Sequence, residues 1–507
     1  MKYFKLLFCA FLIIGVFSCT KLDETFRSEI SQDNSGNIKA SDLLLNAYNS
    51  LGTFQTGNIW HLEEHTSDEI IAPTRGPDWD DNGQWRALHA HTWNADHATI
   101  GGAFSDLLSA QFAASNVLQY NPSAQQAAEA RFIRALTMFF VLDGWGQVPY
   151  REDLNDYKID PTTLQGADAV TFIAGELNDI INDLPADGPA YTANQNAARF
   201  LLMKLYLNKG AFADRSNPTF DGADMSQVIT LADQITATGK YSITGSDYYD
   251  NFAPNNDTKS SENIFTLYNQ NGDRGGNVQG TWFQIAHYNM DPGGWNGFAT
   301  LSDFYDKFEA ADERLGKYYV YPGSKPNPGH RTNVGFLAGQ QYNLTTDVAL
   351  KDRKGNPLIF TPEVHLRETG DNLEVTGIRA DKYAYDYANT GSQNNNDWVL
   401  FRYADVLMMK AEALLRTGDA SGALSIVNSI RAARGASALG SLSTDNLLDE
   451  KGREFYWEGW RRQDLIRFGK FLDLWQEKTA DDPKNLLFPI PSNQLAVNPN
   501  LVQNPGY

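Results

Sequence analysis

Cysteine is scarce in this sequence, with only Cys9 and Cys19 among its 507 residues. Cys9 lies in the apolar run of residues 6–17, which follows Lys2 and Lys5 in the pattern of a removable export signal. Because cleavage before Cys19 would remove Cys9, we expect a mature chain without a disulfide bond. Its stability must then come from a hydrophobic core, which a chain of this length is large enough to form.

Long hydrophobic runs and an excess of positive charge are also missing. The run of residues 6–17 is too short to span a bilayer as a helix, and no other segment is long enough. Acidic residues outnumber basic ones, 62 to 42, which gives a formal net charge of -20. This charge argues against nucleic-acid binding and against adhesion to anionic lipid surfaces. The Gly-x-Ser-x-Gly nucleophile motif and the Gly-Lys-Ser/Thr phosphate loop are absent as well.

Apolar residues at helical spacing predict a mostly α-helical protein. Two helix pairs are predicted. In the first, Gly210 ends one helix and the return helix begins at Met225. In the second, a Gly418-Asp419 turn joins the two helices, and the pair is near the size of a tetratricopeptide repeat. The predicted helices cover residues 41–51, 104–120, 123–145, 194–209, 225–238, 399–416 and 420–433. We therefore expect a tetratricopeptide-like helical repeat scaffold with long loops and a few short strands. A generic helical hairpin is the alternative for either pair taken alone.

The composition changes between residues 241 and 397, where Gly, Asn, Asp and Pro are frequent and helix is scarce. One structureless loop of that length is uncommon, so we expect loops and short strands packed on the scaffold. Beyond it, we predict one helix through Trp457 and another through Trp475. We expect a signal peptide at 1–18 and a lipidated flexible tether at 19–37, followed by one compact unit. That unit consists of an N-terminal region at 38–240, with helical-hairpin repeats, and a C-terminal region at 241–507. The C-terminal region is divided into a loop-rich insert at 241–397, helices at 399–478 and a tail at 479–507.

Tryptophan is concentrated in two loop-rich stretches, residues 60–93 and residues 271–298. A flat indole covers the C–H face of a sugar ring, while carboxylates, amides and arginine bind the surrounding hydroxyls. Neighbouring Gly and Pro place these side chains on loops, where binding residues concentrate. The candidate ligand-binding residues are Arg75, Asp78, Trp79, Asp80, Trp85, Trp282, Tyr288 and Trp295. For each tryptophan the alternative is a structural role, because large aromatic side chains are mostly buried.

Two further patterns are open to a metal-binding interpretation. His61-Leu62-Glu63-Glu64-His65 matches the zinc-protease pattern H-x-x-E-H, but no third ligand can be singled out among 62 acidic residues. Asp273 and neighbouring oxygens leave a structural calcium ion open, although their spacing matches no EF-hand loop. Paired carboxylates for glycoside hydrolysis remain open too. We expect no catalytic residue and no cofactor, with a surface glycosidase or zinc peptidase as the alternative function.

Four segments carry a resemblance to a known family. They are EARFIRALTMFFVLDGWGQVPY at 129–150, WVLFRYADVLMMKAEALLRTG at 398–418, EFYWEGWRRQDLIRFGKF at 454–471 and LLFPIPSNQLAVNPNLVQNPGY at 486–507. Together, in this order, they closely resemble the RagB/SusD family over essentially the whole mature chain. The sequence TKLDE at 20–24 resembles the surface-export signal of Bacteroidetes lipoproteins, with an ordinary polar tether as the alternative.

The resemblance implies a function without catalysis. Members of the family are cell-surface lipoproteins of the outer membrane that bind glycans. They pass these glycans to a TonB-dependent transporter of the SusC type. It further implies lipidation at Cys19, which follows the small residue Ser18, with a plain export signal as the alternative. We therefore expect an oligosaccharide ligand and a SusC-like partner.

Overall fold

Helices form the frame of this protein, as the hydrophobic periodicity predicts. The computed structural model describes residues 38–507 apart from 152, 153, 155, 157 and 390–392. The predicted signal peptide, the lipidation at Cys19 and the tether up to residue 37 lie outside the described residues. Residues Ala40–Tyr507 form one compact unit. None of the helices in the described part of the chain is both long and apolar enough to cross a membrane.

The α-helices, in chain order, are α1 (Ala40–Asn49), α2 (Asn58–His65), α3 (Gln84–His89), α4 (Ala98–Val117), α5 (Ala124–Trp145), α6 (Gly166–Ile180), α7 (Gln195–Ala213), α8 (Gly222–Ala237), α9 (Asn256–Lys259), α10 (Gln279–Ile285), α11 (Ser302–Tyr305), α12 (Tyr403–Arg416), α13 (Ala420–Ala433), α14 (Thr444–Phe455), α15 (Arg461–Arg467) and α16 (Ser492–Leu495). The predicted fold class, mostly helical with few short strands, is confirmed.

Three pairs of helices pack side by side and build the scaffold: α4 with α5, α7 with α8, and α12 with α13. Helix α5 begins at a capping box, in which Ser123 Oγ accepts from Gln126 N at 3.2 Å and Gln126 Oε1 accepts from Ser123 N at 3.0 Å. Ala411 and Ala423 are fully buried between α12 and α13. Their small side chains let the two helices approach closely.

Gly210 does not end helix α7, which continues to Ala213, so the predicted helix end near Gly210 is wrong. A Cβ atom at Gly210 would lie 1.8 Å from the carbonyl oxygen of Thr219. Glycine is therefore required here because the following loop crosses the helix closely, and not because the helix stops.

Residues 399–402 are a strand and not the first turn of the helix predicted over 399–416. Strand β11 (Trp398–Arg402) pairs antiparallel with β4 (Asn263–Leu267), and α12 starts only at Tyr403. Every residue of both strands is buried. The apolar–polar alternation of a strand with one wet face is therefore missing, and periodicity alone cannot separate such a strand from a buried helix.

Short strands hold the long loops to the scaffold. They are β1 (Thr74–Arg75), β2 (Gln147–Tyr150), β3 (Thr162–Gln165), β4 and β11 as above, β5 (Gly316–Lys317), β6 (Val334–Leu337), β7 (Gly339–Gln340), β8 (Ile359–Phe360), β9 (Arg367–Glu368) and β10 (Arg379–Asp381). β1 pairs parallel with β9, and the order β10-β6-β5 forms an antiparallel sheet. β2–β3 and β7–β8 are antiparallel pairs.

The last helices are shorter than predicted. Helix α14 ends at Phe455, before Trp457, and α15 ends at Arg467, well before Trp475. The irregular tail packs back on the C-terminal end of α5. There Phe488 N donates to Gly144 O at 2.8 Å, and the Asn504 amide donates to Trp145 O at 3.0 Å. The tail therefore closes the core.

A buried ion cluster, made of Arg314, Arg402, Arg434 and Glu454, joins the C-terminal helices to the loops. Glu454 lies 2.7 Å from Arg402 and 2.9 Å from both Arg314 and Arg434, and none of these side chains is more than 1% exposed. Burial alone would raise the pKa of Glu454. The three guanidinium groups outweigh burial and hold that pKa well below its usual value.

Candidate functional site

Two loops far apart in the sequence lie side by side, and each carries predicted ligand-binding residues. Ile71 N donates to Ala299 O at 2.8 Å, and Ala299 N donates to Ile71 O at 2.9 Å. This pair of hydrogen bonds joins the loop that contains Trp79 to the loop that contains Trp295.

Arg75 stabilises the junction of these loops. Its guanidinium donates to the carbonyl oxygens of Asn296 at 3.1 Å, Leu373 at 2.6 Å and Thr376 at 2.7 Å. The side chain is buried, and burial lowers the pKa of Arg75 to about 10. Because its donors are committed to backbone, the structure does not support the predicted role of Arg75 as a donor to ligand hydroxyls.

An aromatic platform, made of Trp79, Phe283 and Trp295, lies where the two loops meet. Trp295 is 54% exposed, and its ring stacks on Phe283 with a centroid distance of 5.7 Å and an interplanar angle of 24°. Trp79 is half-buried, and its ring centroid lies 6.4 Å from that of Trp295. The Nε1 of Trp79 donates a hydrogen bond to the backbone oxygen of Trp295 at 2.8 Å. The structure thus leaves a flat, supported indole open to solvent.

The backbone around the platform is strained. Trp79, Asp81 and Asn82 have φ values of 62°, 38° and 54°, and Asn296 beside Trp295 has a φ of 54°. Side chains with a Cβ adopt this left-handed region at a cost, of order 1–3 kcal/mol each in strained cases. Such residues cluster at functional sites, where the surrounding fold holds them in place. This clustering marks the platform as a built feature.

Trp85 and Trp282 are buried, whereas a ligand-binding residue must be accessible from solvent. Trp282 is 0% exposed, and its Nε1 donates to Tyr383 O at 2.8 Å. Trp85 is 9% exposed and packs between Trp79 and the ring of His61, with centroid distances of 6.3 and 4.9 Å. Both indoles are therefore supports beneath the surface, which is the structural alternative for these tryptophans.

A polar rim, made of Asp78, Tyr288, Arg353 and Glu374, borders the platform. Tyr288 OH donates to Asp78 Oδ2 at 2.8 Å, and Arg353 Cζ lies 3.8 Å from the centroid of the Tyr288 ring. Arg353 also pairs with Glu374 at 2.6 Å. A cleft of about 290 Å³ opens among Asp78, Arg353 and Glu374. Asp78 precedes Trp79 in the chain, and Asn296, which follows Trp295, also lines the cleft. Hydroxyl-binding groups of both polarities are therefore joined to the platform through neighbouring residues.

The protonation of the rim is fixed by its own contacts. Burial alone would raise the pKa of Glu374, but hydrogen bonds from Arg353 and His287 outweigh it and lower that pKa. Burial and the hydrogen bond to Asp78 raise the pKa of Tyr288 to about 12. At neutral pH, Glu374 is thus a carboxylate acceptor and Tyr288 keeps its proton.

The remaining predicted residue, Asp80, is bound to a neighbour. Its carboxylate lies 2.9 Å from Arg86 and keeps 46% of its side-chain surface exposed. The sequence reasoning missed Phe283, Arg353 and Glu374. No local signal marks Arg353 or Glu374, because only the fold brings these loop residues beside Tyr288.

The zinc-like motif lies beneath the platform. The rings of His61 and His65 are buried, 5.5 Å apart, and burial lowers the pKa of His61 to about 3. His65 packs on Phe298 with a centroid distance of 4.4 Å. Asp273, the residue named above for a structural calcium ion, is exposed. Within the described ranges, no three His, Cys, Asp or Glu side chains are grouped so that they could hold a metal ion. The two histidine rings thus pack as part of the buried aromatic layer around Phe298.

A model of the SusD family matches residues 230–507, more than half of the chain. The protein belongs to the SusD family. Another member, the starch-binding protein SusD of Bacteroides thetaiotaomicron, is 25% identical, and the match covers 100% of this chain and 99% of that protein.

Solved SusD-family structures share the fold. A SusD superfamily protein from Parabacteroides distasonis has a TM-score of 0.71 at 18% identity, covering 92% of this chain and 98% of the other. Surface glycan-binding protein A from Bacteroides thetaiotaomicron, solved in complex with laminarihexaose, has a TM-score of 0.67 at 17% identity, again covering 92% and 98%. The SusD fold thus accounts for the scaffold, the short strands and the tail.

Proposed function

We propose that this SusD-family protein binds an oligosaccharide on the aromatic platform and does not cleave it. The exposed Trp295 ring, stacked on Phe283, is the observation on which the proposal depends. Stacking on such a ring and hydrogen bonds to the polar rim are the two contacts that a sugar needs. Two relatives support the same class of ligand: SusD is a starch-binding protein, and surface glycan-binding protein A was solved in complex with laminarihexaose.

One carboxyl group of the polar rim, Glu374, is unsuited to the acid step of glycoside hydrolysis. A glycosidase needs a carboxylic acid with a raised pKa that protonates the leaving oxygen. The pKa of Glu374 is lowered instead, because Arg353 and His287 stabilise its charged form. Glu374 is thus suited to accept hydrogen bonds from hydroxyls and not to donate a proton.

The membrane location and the partner are also part of the proposal. We infer that lipid on Cys19 anchors the protein to the outer surface of the outer membrane. There it passes the glycan to a SusC-like TonB-dependent transporter. Family membership and the signal-like sequence before Cys19 support this role. Membrane fractionation of wild type and Cys19→Ala, with co-purification of the transporter from cells, tests it.

A binding assay and a turnover assay separate the two functions. We expect one or more polysaccharides in a panel to retard the protein in affinity electrophoresis. We also expect chromatography of the same polysaccharides after prolonged incubation to detect no released product, with or without a chelator. Product from the polysaccharides in either arm would favour the glycosidase alternative. The zinc peptidase alternative needs a protein substrate in parallel, and peptides released only without the chelator would favour it.

Gly297 offers a test of how the platform is held. An added Cβ atom would lie 2.3 Å from the Trp79 ring, so Gly297→Ala must displace that indole. We expect the free energy of unfolding to fall by about 1–3 kcal/mol, as for other overpacked sites. Glycan affinity should fall several-fold because Trp79 moves. Urea denaturation and calorimetry measure the two effects. Gly175→Ala is the control, since nothing lies within 4 Å of its added Cβ; equal behaviour of both variants would contradict the role of Trp79.

A further inference from the structure

A second cavity is lined in part by the loop that carries Trp295. This Asp381 pocket, of about 310 Å³, is bordered by Met290, Asp291, Tyr342, Asp381, Tyr385 and Tyr387. Residues 287–295 supply Tyr288 and Trp295 to the site described above, and the same residues supply Met290 and Asp291 to this pocket. Its volume is at the lower end of the range for small-molecule sites.

Asp381 is the unusual residue of the pocket. It ends strand β10, where it pairs in register with Gly335 of β6, and it is only 1% exposed. Among the described residues, neither of its carboxyl oxygens has a hydrogen-bond partner, and the hydroxyl of Tyr385 has none either. Native folds rarely leave buried polar atoms unpaired, and several at one place need an explanation.

The cations nearest in sequence do not neutralise Asp381. Arg379 donates to Asn296 Oδ1 at 2.9 Å, and Lys382 donates to Tyr456 O at 2.7 Å. Burial raises the pKa of Asp381 well above its usual value. The neutral acid is therefore favoured, and a neutral carboxyl group both donates and accepts hydrogen bonds.

The charged groups at the border of the pocket are already paired. Asp291 lies 2.9 Å from Lys325, and Arg331 lies 2.8 Å from Asp347. Aromatic rings and amide side chains both line the pocket. The rings of Tyr385 and Tyr387 are stacked, with a centroid distance of 5.5 Å and an interplanar angle of 30°. The pocket thus offers aromatic rings, a phenol hydroxyl and a carboxyl group, and the charged groups at its border are already paired. These features suit an uncharged, hydroxyl-rich ligand better than an ion.

We propose that the Asp381 pocket is a second carbohydrate subsite, in which Asp381 and Tyr385 bind the hydroxyls of one uncharged sugar residue. The proposal rests on the proposed glycan binding, because it assigns to the pocket another residue of the glycan that lies on the platform. It explains why unpaired polar atoms and aromatic rings occur together beside the loop that carries Trp295.

The experiment compares glycan lengths by calorimetry. The probes are the disaccharide and the hexasaccharide of the polysaccharide that binds best in affinity electrophoresis. Tyr385→Phe removes one hydroxyl and keeps the ring, so we expect about tenfold weaker binding of the hexasaccharide, as for the loss of a ligand hydrogen bond. Disaccharide binding should be unchanged. Asp381→Asn keeps a donor and an acceptor and should stay within about threefold of wild type, whereas Asp381→Leu should lose at least about tenfold.

Melting temperatures complete the design. Without ligand, Tyr385→Phe and Asp381→Asn should melt no lower than wild type, since the atoms they replace have no partner among the described residues. If these variants melt at a lower temperature and still bind the hexasaccharide with full affinity, the second subsite is overturned, since the polar atoms would then stabilise the folded protein and not the ligand. Loss of binding in Asp381→Asn would also overturn it, because the amide supplies a donor and an acceptor as the neutral carboxyl group does. If Trp295→Ala abolishes binding while Asp381→Leu and Tyr385→Phe bind both lengths normally, only the second subsite fails. If wild type binds no glycan, the proposed function fails with it.

Discussion

Replacing Trp295 with alanine is expected to weaken oligosaccharide binding by about thirtyfold or more, the equivalent of about 2 kcal/mol. A central aromatic residue of a binding surface commonly contributes this much, because its removal deletes both the stacking area and the exclusion of water. Trp295 is the most exposed ring of the platform, and Phe283 holds it from below. Calorimetric titration of the variant with the best-binding oligosaccharide measures the effect.

Phe112 provides a matched control for Trp295. Its ring lies on helix α4, is 57% exposed and belongs to no part of the platform or the polar rim. Phe112→Ala should bind the glycan with wild-type affinity. Circular dichroism and a melting curve should show that both variants are folded. Wild-type affinity in Trp295→Ala, or an equal loss in Phe112→Ala, would contradict the assignment of the platform.

Glu454→Gln is expected to lower the free energy of unfolding by about 3–5 kcal/mol, the range for breaking a buried ion pair. The variant keeps the shape of the side chain but leaves Arg314, Arg402 and Arg434 with less negative charge around them. Removing one charge from such a buried cluster leaves the others incompletely compensated. Urea denaturation at neutral pH, followed by far-ultraviolet circular dichroism, measures the loss.

The effect of Glu454 should depend on pH in a defined direction. The pKa of Glu454 is lower in the folded state than in the unfolded chain, where the pKa of a glutamate is about 4.3. Its contribution is therefore complete above that value and decreases as the pH falls towards the folded-state pKa. The difference between wild type and Glu454→Gln should narrow in acid. Glu363→Gln is the control, because that side chain is 80% exposed; a similar loss in both variants would contradict the role of the cluster.

The helical scaffold could be predicted because its signals are local. Helix α13 has the predicted limits, and α5 begins one residue after its predicted start at the Ser123 cap. The sequence predicts helix for residues 399–402 of β11 because both faces of the strand are buried, so that neighbouring residues show no contrast in polarity. The sequence predicts a helix end at Gly210 because it does not show that the Thr219 backbone crosses there.

The candidate site could be predicted only in part. The clustering of tryptophans near Gly and Pro predicts Trp79 and Trp295 as ligand-binding residues, but it predicts Trp85 and Trp282 equally. Trp85 and Trp282 lie on the short helices α3 and α10 and are buried, so the loop placement expected for them is wrong. Trp79 and Trp295 lie on loops, and Trp295 faces solvent. Arg353 joins the polar rim through Tyr288 and Glu374, a contact that no spacing in the sequence indicates.

A crystal structure of the protein with its best-binding oligosaccharide tests the proposed site most directly. We predict a sugar ring parallel to the Trp295 indole, with hydroxyls hydrogen-bonded to side chains of the polar rim. A glycan bound on another face, with the Trp295 ring uncovered, would contradict the account.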